Sequence, residues 1–119
     1  MNTNDNPRAA MEAELLRTAY QRKAVCPDSF DDAIADAIRF FKEKGYRSGR
    51  AGRPNQVFVM GGREGALPRV TAELTFQANV GKNKVTMVTI SGAGENLSRT
   101  LEEYAGYLRD RGRAKRAAG

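Results

Sequence analysis

Three kinds of residue in this chain could do chemistry: one thiol, several carboxylate clusters and a large set of arginines. Cys26 precedes a helix start, where the backbone dipole favours a thiolate. Asp28, Asp31 and Asp32 crowd the same end and oppose that charge, and no histidine exists to act as a base. The thiol therefore reads as a structural residue. The lack of histidine also excludes a Ser-His-Asp triad, a Cys-His dyad and a His-ligated zinc. A single cysteine excludes an intrachain disulfide and a multi-cysteine metal site. Asp28, Asp32 and Asp36 form an acidic stripe at helical spacing, which matching to the helix dipole explains without a metal. Gly92-Ala93-Gly94 sits between a strand and a helix, the setting of a phosphate cradle. No third glycine and no Lys-Ser/Thr follows, and Glu95 puts negative charge at its mouth, so it reads as a tight turn. Glu102 and Glu103 read as a solvated helix face, with Tyr104 in the core and Tyr107 at its rim. These residues predict no enzyme, no cofactor and no metal.

The arginines stand apart. The chain has 119 residues, with 20 Lys+Arg against 14 Asp+Glu, a net charge of +6. Arg39, Lys42, Lys44, Arg47, Arg50 and Arg53 face only Glu43 within 39–53, a balance of +5. Arg109, Arg111, Arg113, Lys115 and Arg116 face only Asp110 within 109–116, a balance of +4. The remainder of the chain is then −3, so a mildly acidic body carries two basic segments. Arginine fills eight of the eleven basic positions, which favours bidentate contact with phosphate or carboxylate. Tyr46 adds a ring that can stack on a base, and Arg63 adds charge in a second glycine-rich loop.

The elements that position these residues follow from periodicity. Asn6-Pro7 opens a helix predicted over 7–24, ended by Cys26-Pro27. Ser29 is placed as the cap of the next helix, whose stripe is Phe30, Ile34, Ala37/Ile38 and Phe41 and whose stop is Gly45. Residues 46–55 read as a flexible basic loop. Gln56–Met60 is a short strand, Val70–Val80 an alternating strand, Gly81–Asn83 a turn and Lys84–Ile90 the returning strand. Leu97, Leu101, Tyr104 and Leu108 mark the last helix, capped by Asn96 or, on a later start, by Thr100. The segment 111–119 has no apolar anchor and is expected to fray. The expected fold is α+β, a two-layer sandwich of order α-α-β-β-β-α with a three-stranded antiparallel sheet. Residues 1–110 form its one domain and 111–119 a flexible basic tail. Over 29–110 the α-β-β-β-α order, with its glycine step into a final helix, resembles the double-stranded-RNA-binding domain. Where that family carries a Lys-Lys pair, this chain reads Glu95-Asn96-Leu97-Ser98-Arg99, and no residue role is carried over.

The polar start Met1–Pro7 carries no secretory pattern, no run is long enough to cross a membrane and the lone thiol suits a reducing space, so the cytoplasm is expected. The functional expectation is a small nucleic-acid-binding accessory protein, with DNA and RNA both open. It grips phosphates through Arg39, Lys42, Lys44, Tyr46, Arg47, Arg50, Arg53, Arg63, Arg109, Arg111, Arg113, Lys115 and Arg116. The alternative is an inhibitor or adaptor of phage or mobile-element origin, docking on an acidic patch of a host nucleoprotein complex. Oligomeric state stays open.

Overall fold

A computed structural model describes residues 6–50 and 52–118. The polar segment before Asn6, and Ala51 within the basic loop, lie outside them. The first helix, α1 (Pro7–Thr18), starts where expected: the Asn6 side chain accepts from the amides of Arg8 and Ala9 at 3.0 and 3.4 Å. It stops six residues before the predicted end. The Thr18 hydroxyl donates to the Glu14 carbonyl at 2.7 Å and accepts from the Gly94 amide at 2.8 Å. Ala19 then leaves helical geometry, and Tyr20–Cys26 becomes strand β1, paired residue by residue with Thr86–Gly92. A weakly amphipathic stretch is captured by a partner far away in sequence. Thr18→Val would strand the buried Gly94 amide. We expect a loss of about 2 kcal/mol, read from urea melts of the two proteins.

The sheet is five-stranded and antiparallel, in the order β1-β5-β4-β3-β2, rather than three-stranded. Helix α2 (Phe30–Glu43) follows β1, so the element order is α-β-α-β-β-β-β-α, which departs from the double-stranded-RNA-binding pattern. Strand β2 (Arg47–Arg50) lies inside the segment expected to be a loop and pairs with β3 (Gln56–Met60). Gly49 suits that place because a Cβ there would press on the Phe58 ring at 3.1 Å. Strands β4 (Thr71–Val80) and β5 (Val85–Gly92) form the expected hairpin. Ala72, Leu74 and Phe76 alternate inward as read. A bulge between Gln77 and Val80, with Asn79 at φ 58°, then turns Ala78 outward.

Both core helices cover one face of the sheet. Helix α2 packs on β2, β3 and β4, and α3 (Glu95–Ala118) packs on β1 and β5. Helix α2 buries Ala33, Ile34, Ala37, Phe40 and Phe41 and ends at Gly45, φ 93°. Ser29 precedes it without a side-chain capping bond. Phe40, Phe41 and Tyr104 form an aromatic triangle with centroids 5.2 Å apart, each pair adding about 1 kcal/mol beyond its buried area. Leu97, Leu101, Tyr104 and Leu108 are buried along α3, as their spacing predicted. Neither Asn96 nor Thr100 caps α3. It starts at Glu95, and the Glu64 carboxylate accepts from the Asn96 amide at 2.8 Å. Helix α3 runs through Ala118, where a fraying tail was expected from Arg111.

The register places the ends. Asn55 meets Phe76, Cys26 meets Thr86 and Val80 meets Val85. The β2–β3 turn, the β4–β5 turn, the β1–α2 connection and the last turns of α3 therefore share one end of the sheet.

Candidate functional site

That end holds a groove of about 920 Å³ between β1, the β4–β5 turn and the C-terminal half of α3. Ala24, Val85, Ala105 and Leu108 give it an apolar lining, and Phe30 stands half-buried in its wall. Arg22, Lys23, Lys84, Arg109, Lys115 and Arg116 surround that lining with six cations from three elements. Among the described residues, Asp28 is the one acidic residue lining it. Both Asp28 oxygens are occupied, at 2.6 and 2.9 Å, by the Arg111 guanidinium. The net field in the groove is therefore positive. Among its cations, only Arg109 has a carboxylate within 4 Å among the described residues, at 3.8 Å from neighbouring Asp110.

Arg111 is a clamp rather than a free contact. Besides Asp28 it reaches Asp36 on α2 at 3.0 Å, and Tyr107 donates to the same Asp36 carboxylate at 2.8 Å. Arg39 closes the network, 2.6 Å from Asp36 and 3.0 Å from the Tyr107 hydroxyl, with a further bond to Glu43 at 2.8 Å. Lys115 donates to the Pro27 carbonyl. These bonds tie the far turns of α3 to the start of α2, which is why the segment is helical without an apolar anchor.

The other expected contacts divide by place. Lys44 pairs with Glu103 at 3.1 Å and lies over the Phe40 ring. Tyr46 packs against the core with its ring near Gly61, so it is not a free stacking surface. Arg50 reaches the Pro54 carbonyl at 3.1 Å and Asp31 at 3.8 Å. Lys42, Arg47, Arg53, Arg63, Arg113 and Arg116 have no carboxylate within 4 Å among the described residues. Lys42, Lys44, Arg47 and Arg63 belong to the opposite end of the sheet from the groove, since Arg47 pairs with Met60 and Gly61 bonds Val70. Arg53 joins the groove's end through its turn. The 39–53 segment is thus split between two ends rather than forming one basic loop.

Arg22, Lys23 and Lys84 escaped the sequence reading. The first two lie in β1, where a helix was expected. Tyr20, Ala24 and Cys26 turn inward there, but the exposed Arg22 interrupts the alternation, so the sequence carried no clear strand signal. Lys84 was read only as the start of a strand, yet it adopts φ 54°, uncommon for a residue with a side chain.

Cys26 lies in the groove wall but is only 3% exposed. Burial, reinforced by the Asp28 and Asp36 carboxylates, pushes its thiol from 9.0 up to about 12. It is a buried thiol, as expected. The unfolded chain releases that proton near 9.0 while the fold holds it to about 12. The corresponding stability is complete below pH 9 and is lost as pH rises from 9 towards 12, at about 1.4 kcal/mol per pH unit. Urea melts at pH 8 and 10.5 should show the native protein losing about 2 kcal/mol more than Cys26→Ala over that interval. The fully buried Tyr104 hydroxyl nearby lies within the Cys26 environment, and burial raises its pKa well above 10.

No group of three or more metal-ligating side chains comes together among the described residues, and no described helix is long and apolar enough to cross a membrane. Comparison with known protein families, curated proteins and solved structures finds no match to this chain.

Proposed function

We propose that this protein is a nucleic-acid-binding accessory protein without catalytic activity of its own. The observation that carries the reading is the six-cation groove, whose one carboxylate is already neutralised by Arg111. Arg53, Lys82 and Arg113 extend the same charge along the turns and helix at that end. Exposed cations on independent elements suit the phosphate backbone, which accepts charge along its length. The test is fluorescence anisotropy with labelled DNA and RNA oligonucleotides from 25 to about 300 mM salt, where log affinity should fall linearly with log salt. No binding at the lowest salt refutes the reading.

A second reading, an adaptor or inhibitor docking on a host nucleoprotein complex, draws on β1. Its outer edge pairs with no other described strand and offers backbone groups to an extended acidic segment. Retention of a nucleoprotein partner after nuclease treatment and in high salt would favour it over the first.

A further inference from the structure

We propose that the groove takes single-stranded rather than duplex nucleic acid, with bases on its apolar lining and phosphates on its cationic rim. The inference rests on the nucleic-acid reading above and narrows its substrate.

The first reason is the groove's mixed character. A duplex turns phosphate and sugar outward and hides its base faces by stacking, so it could touch the rim but would leave the lining unused. A single strand presents charged phosphates and flat apolar base faces together, and proteins hold it by matching a positive groove to stacking surfaces. Ala24 and Val85, half-buried over a floor of buried Ala105 and Leu108, supply the apolar contact, and Phe30 supplies a half-buried ring beside them.

The second reason is shape. At about 920 Å³ the groove matches concavities that enclose compact organic ligands, which range up to about 1,000 Å³. A duplex is stiff over about 150 base pairs and does not bend locally into such a hollow. A single strand does.

The third reason is backbone strain. Asn79 and Lys84, on either side of the β4–β5 turn, both adopt positive φ, 58° and 54°. Asparagine tolerates that region, whereas a lysine there carries a cost that glycine would remove. Lys84 is one of the groove's cations, so the strained position coincides with a rim charge. Strain retained at a binding surface is a common mark of function.

Gly112 provides a clean test. It lines the groove from within α3, and a Cβ there meets nothing nearer than the Arg116 guanidinium at 3.7 Å. Gly112→Leu fills the groove without changing charge and improves helix propensity, so folding is retained; Gly112→Ala makes the same helix change with little filling. The probes are labelled dT12 and U12, a 12-base-pair DNA duplex and inorganic polyphosphate as competitor. The native protein should bind a single strand at least about tenfold more tightly than the duplex. Leucine should weaken single-strand binding about tenfold relative to alanine at the same position, and should weaken it far more than duplex binding. Equal affinity for duplex and single strand overturns the inference, as does unchanged single-strand binding in Gly112→Leu. Polyphosphate competing as well as dT12, charge for charge, also overturns it, because the lining would then be idle. In these cases the nucleic-acid reading stands wherever an oligonucleotide binds; if none binds at low salt, that reading fails and this one with it.

Discussion

Replacing Arg109, Arg113 and Arg116 together with alanine should weaken oligonucleotide binding about 100-fold at low salt and leave the fold intact. All three are exposed on the last turns of α3, and Arg109 and Arg116 line the groove. None belongs to the clamp, because Arg111 and Lys115 make the bonds that hold this end of the helix. Alanine is also the best helix former, so helicity should hold or rise. Each lost phosphate contact lowers the salt slope for a single strand by about 0.7, so the triple variant should lose about 2 from the slope. The salt slope separates a lost contact from a general weakening. The matched control is alanine at Arg8, Arg17 and Arg99, on α1 and the first turns of α3. Those three should leave both affinity and slope nearly unchanged. An equal loss in the control would mean that net charge alone draws the ligand.

Arg111→Ala should have the largest effect on stability of any substitution of a charged residue. The guanidinium bridges Asp28 and Asp36 and lies against the Tyr107 ring at 5.3 Å. Its removal leaves Asp28, 21% exposed, without a cation, beside an Asp36, 17% exposed, that only Arg39 still pairs. Deleting one partner of a fully buried pair costs about 3–5 kcal/mol. Arg111 is itself 36% exposed, so solvent screening reduces the expected cost to about 2 kcal/mol. For a chain of this size that lowers Tm by about 8 °C. Arg111→Lys should restore less than half of the loss, since an ammonium cannot reproduce the two-pronged contact with Asp28. Asp28→Asn in the alanine background should recover part of it by removing the stranded charge. Thermal melts of the four proteins give the answer. A drop of less than 2 °C in Arg111→Ala would show that the network contributes little.

The parts of this fold that could be read in advance are those whose pattern is local. Helix α2 declares itself through Phe30, Ile34, Ala37 and Phe41 and the glycine that ends it. Strand β4 declares itself through Ala72, Leu74 and Phe76 alternating with polar neighbours. Strands β1 and β2 do not. Tyr20–Cys26 carries no strong period and is made a strand by β5, and Arg47-Ser48-Gly49-Arg50 has a loop's composition and is made a strand by β3. The site followed the same division. The excess of arginine at 109–116 was plain, but which arginines were free was not. That depended on Asp28 and Asp36, brought opposite α3 by the fold. Arg22 and Lys23 were invisible as site residues for as long as their strand was.

Strand β1 has a further consequence for the chain during its synthesis. Strands β2 to β5 pair with sequence neighbours and can zip together as they emerge. Tyr20–Cys26 must wait for Thr86–Gly92, about 60 residues later. At translation rates of about 5–20 residues per second it stays unpaired for some 3–12 s. In that interval it is an open strand on a crowded ribosome, the kind of segment that nucleates aggregation. Arg22 and Lys23, at its middle, are the charges that hold such a segment apart from its own kind. The pair would thus protect the nascent chain before it lines a groove in the finished one.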